Sequence, residues 1–179
     1  IPTFTASKTT IGEPQIGSYG LYFGRVTEEK GVETVIKAYE KLPEYTVKIM
    51  GDDTTDEAKR LKKYVKDHKM KNVEFLGFKS GEELEDIIKG ARFTLIPSIW
   101  YDNLPNTALE SFQYSKPVIA SNIGSLPELV SDGENGYLFE PSNVEDLIKK
   151  IKMLDDDILV KKMGQASSCL LYTSDAADD

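Results

Sequence analysis

Short apolar runs rich in β-branched and aromatic residues alternate along this chain with longer segments of helical period. Six such runs stand out: Tyr19–Phe23, Tyr45–Met50, Val73–Leu76, Phe93–Ile96, Val118–Ala120 and Tyr137–Phe139. Most are apolar on both faces. That suits parallel strands covered by helices on two sides, whereas half-exposed antiparallel strands alternate polar and apolar positions. The pattern predicts an α/β fold, a Rossmann-like parallel sheet of about six strands with helices on both faces.

The intervening helices are marked by apolar stripes and start signals. Val32, Val35, Ile36 and Tyr39 make an i, i+3, i+4, i+7 stripe, and Leu84, Ile87 and Ile88 a shorter one. Thr54-Thr-Asp-Glu57, Ser80-Gly-Glu-Glu83 and Ser142-Asn-Val-Glu145 each read as a Ser/Thr-x-x-Glu capping box, in which the hydroxyl takes an orphan helix N–H. Asp146–Leu159 carries Leu147, Ile148, Ile151, Leu154 and Ile158 at helical spacing with Lys149, Lys150 and Lys152 between them. A core-facing helix with a solvated charged face accounts for it better than a membrane-surface helix.

A chain of 179 residues has room for one domain that needs no disulfide or metal staple. Lys and Arg total 22 against 30 Asp and Glu, a net charge of -8 that repels a phosphodiester backbone and argues against nucleic acid as a partner. No run approaches the length of a transmembrane segment. A single cysteine, Cys169, excludes an internal disulfide framework, and a reducing, cytoplasmic setting fits, with room for peripheral membrane attachment in a longer parent. The one histidine, His68, has no Cys or His at ligand spacing; amid Lys66, Asp67 and Lys69 it is expected to be a solvated residue at a helix end.

The ends differ in character from the middle. Residues 1–18 are Thr-, Gly-, Pro- and Ser-rich without sustained period, which reads as a linker from a preceding domain. The last eleven residues, Cys169–Asp179, resemble the translation of a sequencing-library adapter and are set outside the fold, leaving 19–168 as the domain.

In an open α/β sheet, ligands bind beyond the carboxyl ends of the strands, where helix N-termini favour phosphate. Two such turns carry chemistry. The first, Gly24-Arg25-Val-Thr-Glu-Glu-Lys30-Gly31, runs from the first strand into the Val32 helix: Gly24 permits close backbone approach, and Arg25 and Lys30 place two cations beside it, as a diphosphate clamp requires. The second, Pro97–Glu110, leaves the Phe93 strand and passes Trp100 and Tyr101. It enters a helix for which Pro105 suits the first turn, with Asp102 before it and Glu110 two turns inside. Two carboxylates at one cleft suit sugar or ribose hydroxyls; acid–base work by the pair is a lesser alternative. For Trp100 and Tyr101, packing against the loop and stacking on a sugar or base are equally open. No Gly-x-Gly-x-x-Gly follows the first strand, and Arg25 stands where a dinucleotide site needs glycine.

Gly24-Arg25-x4-Lys30-Gly31, Ile49-Met-Gly51-Asp52, Phe75-Leu-Gly77, Pro97-Ser98 through Glu110, Lys116-Pro117-Val-Ile-Ala-Ser121 and Gly124-Ser-Leu-Pro127-Glu128 together resemble, in order and spacing, the carboxyl-terminal domain of family 4 (group 1) glycosyltransferases. The resemblance spans Tyr19 to about Gly164. It implies half of a GT-B enzyme, two Rossmann-like domains facing a cleft, that transfers a hexosyl unit from a nucleotide diphosphate sugar such as a UDP- or GDP-sugar with retention of configuration. It implies no metal and no other cofactor.

On that resemblance Arg25 and Lys30 bind the donor diphosphate and stabilise the leaving group, Asn106 and Thr107 lie near the phosphates, and Glu110 binds the ribose hydroxyls. Asp102 takes the place of the acid that contacts the transferred sugar, one methylene shorter than the family's glutamate, and Gly51 and Gly77-Phe78 border the base. Ser115 and Ser125 stand where glycine is usual. The amino-terminal domain of such enzymes supplies acceptor contacts, to a glycan or glycolipid, and a catalytic histidine. This chain alone is therefore expected to bind donor without turnover; a noncatalytic nucleotide-sugar-binding module of the same ancestry is the alternative.

Overall fold

The computed structural model describes residues 16–101 and 106–178, and the six apolar runs form one six-stranded parallel sheet. Its strands are β1 (Tyr19–Phe23), β2 (Thr46–Met50), β3 (Val73–Gly77), β4 (Ala91–Ile96), β5 (Val118–Ser121) and β6 (Gly136–Phe139), in the order β3-β2-β1-β4-β5-β6. Between and after them come helices α1 (Val32–Glu40), α2 (Asp56–Asp67), α3 (Gly81–Lys89), α4 (Asn106–Gln113), α5 (Leu126–Leu129), α6 (Val144–Met153) and α7 (Asp157–Asp178).

The side-chain period of a strand sorts its residues between two helical layers. Phe93 and Leu95 of β4 join Val35 and Tyr39 of α1 and Leu147 and Ile151 of α6, while α2 adds Ala58 and Leu61 on the same side. Ile96, one residue on, turns to the opposite face and packs on Ala108 and Phe112 of α4 and Leu126 of α5; Ile88 of α3 covers Leu21 and Phe23 there. Covered on both sides, β1 is buried along its whole length, whereas β3 at the sheet edge is only half-buried. Val160 and Met163 carry the start of α7 into the first core. Gly164 then passes so close to the Ser115 carbonyl that an added Cβ would lie 2.3 Å from the oxygen.

The helix starts fall within a residue of expectation, but the capping boxes do not form as read. At α2 the cap is Thr55, whose hydroxyl accepts from the Ala58 amide at 3.1 Å, not Thr54, which bonds Asp52 instead. At α3, Ser80 holds the cap position without a side-chain cap bond. At α6, Asn143 accepts from the Asp146 amide at 2.9 Å, and Ser142 is thrown into the left-handed region at φ 66. An Asx or Thr side chain one residue later has the shorter reach to the N3 amide.

The helix expected over Asp146–Leu159 is two helices. Leu154 closes α6, Asp156 starts the next segment with its carboxylate on the Ile158 amide at 3.0 Å, and Ile158 is consequently 80% exposed rather than core-facing. Residues 169–178, expected to stand outside the fold, continue the α7 helix to Asp178. Ser115 adopts φ 58, the left-handed conformation that explains why glycine suits that turn, and its hydroxyl pairs with that of Ser168. Ser125 is in ordinary right-handed conformation at the start of α5.

Candidate functional site

The strand order reverses direction between β1 and β4, which makes their carboxyl ends the topological switch point, the place where open α/β sheets form their ligand crevice. These are the two turns singled out in the sequence. They are locked together at the bottom of the crevice. The Ile99 amide donates to the Glu29 carbonyl at 3.0 Å, and Gly31, at φ 73, lies so close to the second turn that a Cβ on it would sit 1.9 Å from the Pro97 carbonyl oxygen. Glycine is required there twice over, by conformation and by space.

The β1 turn is built on its neighbours. Gly24 (φ 143) donates its amide to the Met50 carbonyl at 2.9 Å, and Gly51 (φ 139) donates to that of Gly77 at 2.8 Å; a Cβ on Gly51 would lie 2.0 Å from the Gly24 oxygen. The ends of β1, β2 and β3 thus form a step of bare backbone at Gly24, Gly51 and Gly77. The Val26 amide donates to Asp52, its carbonyl accepts the Thr55 hydroxyl, and the Arg25 carbonyl accepts the Tyr22 hydroxyl at 2.6 Å. With its backbone held this way, Arg25 extends a 68% exposed side chain whose Nε is 3.8 Å from the Asp52 carboxylate. Asp52 is held below the usual carboxylate range, first by the Thr54 hydroxyl and amide and then by Arg25. Lys30 closes the 3-10 turn Glu28–Lys30 and leads through Gly31 into α1, whose N-terminus adds the positive end of a helix dipole.

On the other side of the crevice α4 begins at Asn106, which is exposed, followed by the half-buried Thr107. Glu110 lies about one turn into the described helix, not two, and is half-buried; burial raises its carboxyl above the usual value, and among the described residues no hydrogen bond or ion pair reaches it. Asp102 lies outside the described residues. Trp100 and Tyr101 are 69% and 80% exposed, so they are not packed against the loop, and Phe78 beyond β3 is likewise exposed. His68 caps α2 at the surface, its Nδ1 2.9 Å from the Tyr64 carbonyl and its ring stacked on Tyr64, as a helix-terminal histidine.

Two buried hydroxyls escaped the motif reading. Thr94 Oγ1 and Ser111 Oγ are 2.7 Å apart, and Ser111 also donates to the Thr107 carbonyl at 2.7 Å, tying β4 to the first turn of α4. A lone threonine in the apolar run Phe93–Ile96 was the available signal. At the opposite end of the sheet the buried Lys116 donates to the Lys89 carbonyl at 2.7 Å, and burial lowers its pKa to about 8. Among the described residues no group of three His, Cys, Asp or Glu side chains is placed to hold a metal ion, and no described helix is long and apolar enough to cross a membrane.

A doubly wound sheet with a glycine step at its switch point, and Arg25, Lys30 and Glu110 on the segments that follow β1 and β4, defines a Rossmann-like domain. Residues 7–168 match the family of group 1 glycosyl transferases, and the chain belongs to that family. It is 32% identical over 149 residues to an uncharacterised glycosyltransferase of Methanocaldococcus jannaschii, covering 83% of this chain and 41% of that protein, and 30% identical over 170 residues to glycogen synthase of Mycobacterium tuberculosis, covering 92% and 39%. The chain therefore spans about two fifths of the length of these relatives.

Among solved structures, the carboxyl-terminal domain of a group 1 family glycosyl transferase from Francisella tularensis superposes with a TM-score of 0.76 at 27% identity, covering 96% of this chain and 90% of that one. Anabaena HepE, solved in complex with UDP and glucose, gives 0.81 at 21% identity over 96% of this chain and 48% of that one, a likeness of fold. The sheet is thus the Rossmann-like domain of GT-B glycosyltransferases.

Proposed function

We propose that this chain is the donor-binding part of a retaining glycosyltransferase and takes a nucleoside diphosphate sugar, UDP- or GDP-linked, at the β1/β4 switch point. The observation that carries the reading is the pair of locked turns: Arg25 and Lys30 beside bare glycine backbone on one, Glu110 half-buried without a described partner on the other. The diphosphate lies over Gly24 and the start of α1, where backbone N–H groups and the two cations take up the negative charge that grows as the sugar leaves. That role needs no metal. Glu110 takes the ribose hydroxyls, for which an unpaired carboxylate is a ready acceptor. Asn106 and Thr107 lie beside the phosphates, Gly51 and Gly77 border the base, and Asp102 contacts the transferred hexose.

In this reading residues 1–18 link to a domain that brings the acceptor glycan or glycolipid, 169–179 stand outside the working domain, and the parent acts in the cytoplasm. The chain alone binds donor and turns over nothing. Calorimetry of the chain with UDP, GDP and their glucose and mannose conjugates tests this. Binding by one nucleotide series is expected, weakened at least tenfold by Arg25→Ala through loss of charge-assisted hydrogen bonds. A folded chain that binds none of these nucleotides refutes the reading.

A further inference from the structure

We infer that the buried Thr94–Ser111 hydroxyl pair is a positioning device that sets where Glu110 presents its carboxylate, an inference that rests on the ribose role proposed for Glu110. Both residues are completely buried in the layer between the sheet and α4. Ser111 directs its proton to the Thr107 carbonyl at 2.7 Å, which leaves Thr94 as the donor in the 2.7 Å contact between the two hydroxyls. The result is a directed line from the strand, through a side chain on α4, to the backbone of the first turn of that helix.

Around this line the contact of α4 with the sheet is apolar: Ala108 and Phe112 lie on Ile96, Val118 and Ala120. Apolar packing fixes the spacing between layers but resists rotation and sliding of a short helix weakly, because it has no directional component. The Thr94–Ser111 hydrogen bond, of normal length, supplies that direction, and the Ser111–Thr107 bond carries it within α4 to the first turn. They act within four residues of everything α4 brings to the crevice: Thr107 gives the accepting carbonyl, and Glu110 is the residue next to Ser111. Back-bonding from a serine to its i−4 carbonyl also bends a helix locally, so the hydroxyl shapes the turn that carries Asn106 and Thr107.

The test uses the full 179-residue chain and reads ribose recognition apart from stability. Affinities for UDP and 2′,3′-dideoxy-UDP, and for the GDP pair, are measured by calorimetry on wild type, Glu110→Ala, Ser111→Ala, Thr94→Val and the Thr94→Val/Ser111→Ala double variant, each with its melting temperature. Wild type is expected to prefer the full ribose by roughly tenfold, and Glu110→Ala to show no preference. Ser111→Ala melts lower because the buried Thr94 hydroxyl is orphaned, Thr94→Val loses less because Ser111 still donates to the Thr107 carbonyl, and the double variant recovers most of the Ser111→Ala loss because no orphan remains. In the double variant the preference is expected to fall to roughly threefold or less, since the pair no longer positions Glu110. A folded double variant that keeps the wild-type preference overturns the inference and leaves the ribose role of Glu110 standing. A wild-type chain with no ribose preference overturns both.

Discussion

Replacing Gly31 by alanine tests whether the two turns of the crevice are held by close backbone contact. The residue sits at φ 73, where an L-residue costs about 1 kcal/mol; a stiffer unfolded chain offsets roughly 0.5 kcal/mol of that. The added methyl lies 1.9 Å from the Pro97 carbonyl oxygen, far inside the ~3.5 Å of ordinary contact. That oxygen belongs to backbone and cannot swing aside, so the turns must part. Overpacking of this kind costs about 1–3 kcal/mol, and the Ile99–Glu29 hydrogen bond is worth about 1 kcal/mol more.

The sum is about 3 kcal/mol, or a fall of roughly 6–12 °C in melting temperature for a chain of this size. Gly133→Ala is the control: its φ is 87, yet nothing lies within 4 Å of the added carbon, so only the conformational terms remain, about 1 kcal/mol or less. Urea unfolding followed by circular dichroism gives both values. If Gly31→Ala loses no more stability than Gly133→Ala, the turns are not locked in the way described.

Lys116→Met bears on the cost of the buried ammonium. The folded pKa of about 8 lies below the ordinary 10.5, so between those values the unfolded chain holds the proton more tightly and wild-type stability rises with pH. Wild type is expected to gain about 3 kcal/mol relative to Lys116→Met from pH 8 to pH 10.5, with a flat difference below pH 8, in urea titrations at stepped pH. Glu110→Gln removes a charge that burial disfavours, so it is expected to melt no lower than wild type at neutral pH while weakening nucleotide binding about tenfold or more, by thermal melts and calorimetry. Asn72→Asp, nearly isosteric, withdraws the amide that donates at 2.9 Å to each of the Tyr39, Leu42 and Tyr45 carbonyls, and is expected to cost about 2–3 kcal/mol in chemical denaturation.

Local pattern carried the strands and most helices, because burial on both faces of a parallel sheet leaves runs such as Tyr19–Phe23 with almost no polar residue. It failed where two local solutions compete. Thr54 and Thr55, or Ser142 and Asn143, offer alternative caps one residue apart, and only the entry angle of the chain chooses between them. Likewise Ile158 fits the period of α6, but Asp156 offers the backbone a new helix start, and the period breaks there.

By itself the sequence determined the fold class, the six strands, the turn that bears Arg25 and Lys30 and the helix that bears Glu110, since hydrophobic period and motif spacing are properties of neighbours along the chain. Tertiary structure alone decided that the Gly31 and Pro97 backbones touch, that Arg25 leans toward Asp52, and that Thr94 meets Ser111 beside Glu110. The sheet order β3-β2-β1-β4-β5-β6 brings together residues tens of positions apart, and distances of that kind are set by strand pairing and layer packing, which no local pattern encodes.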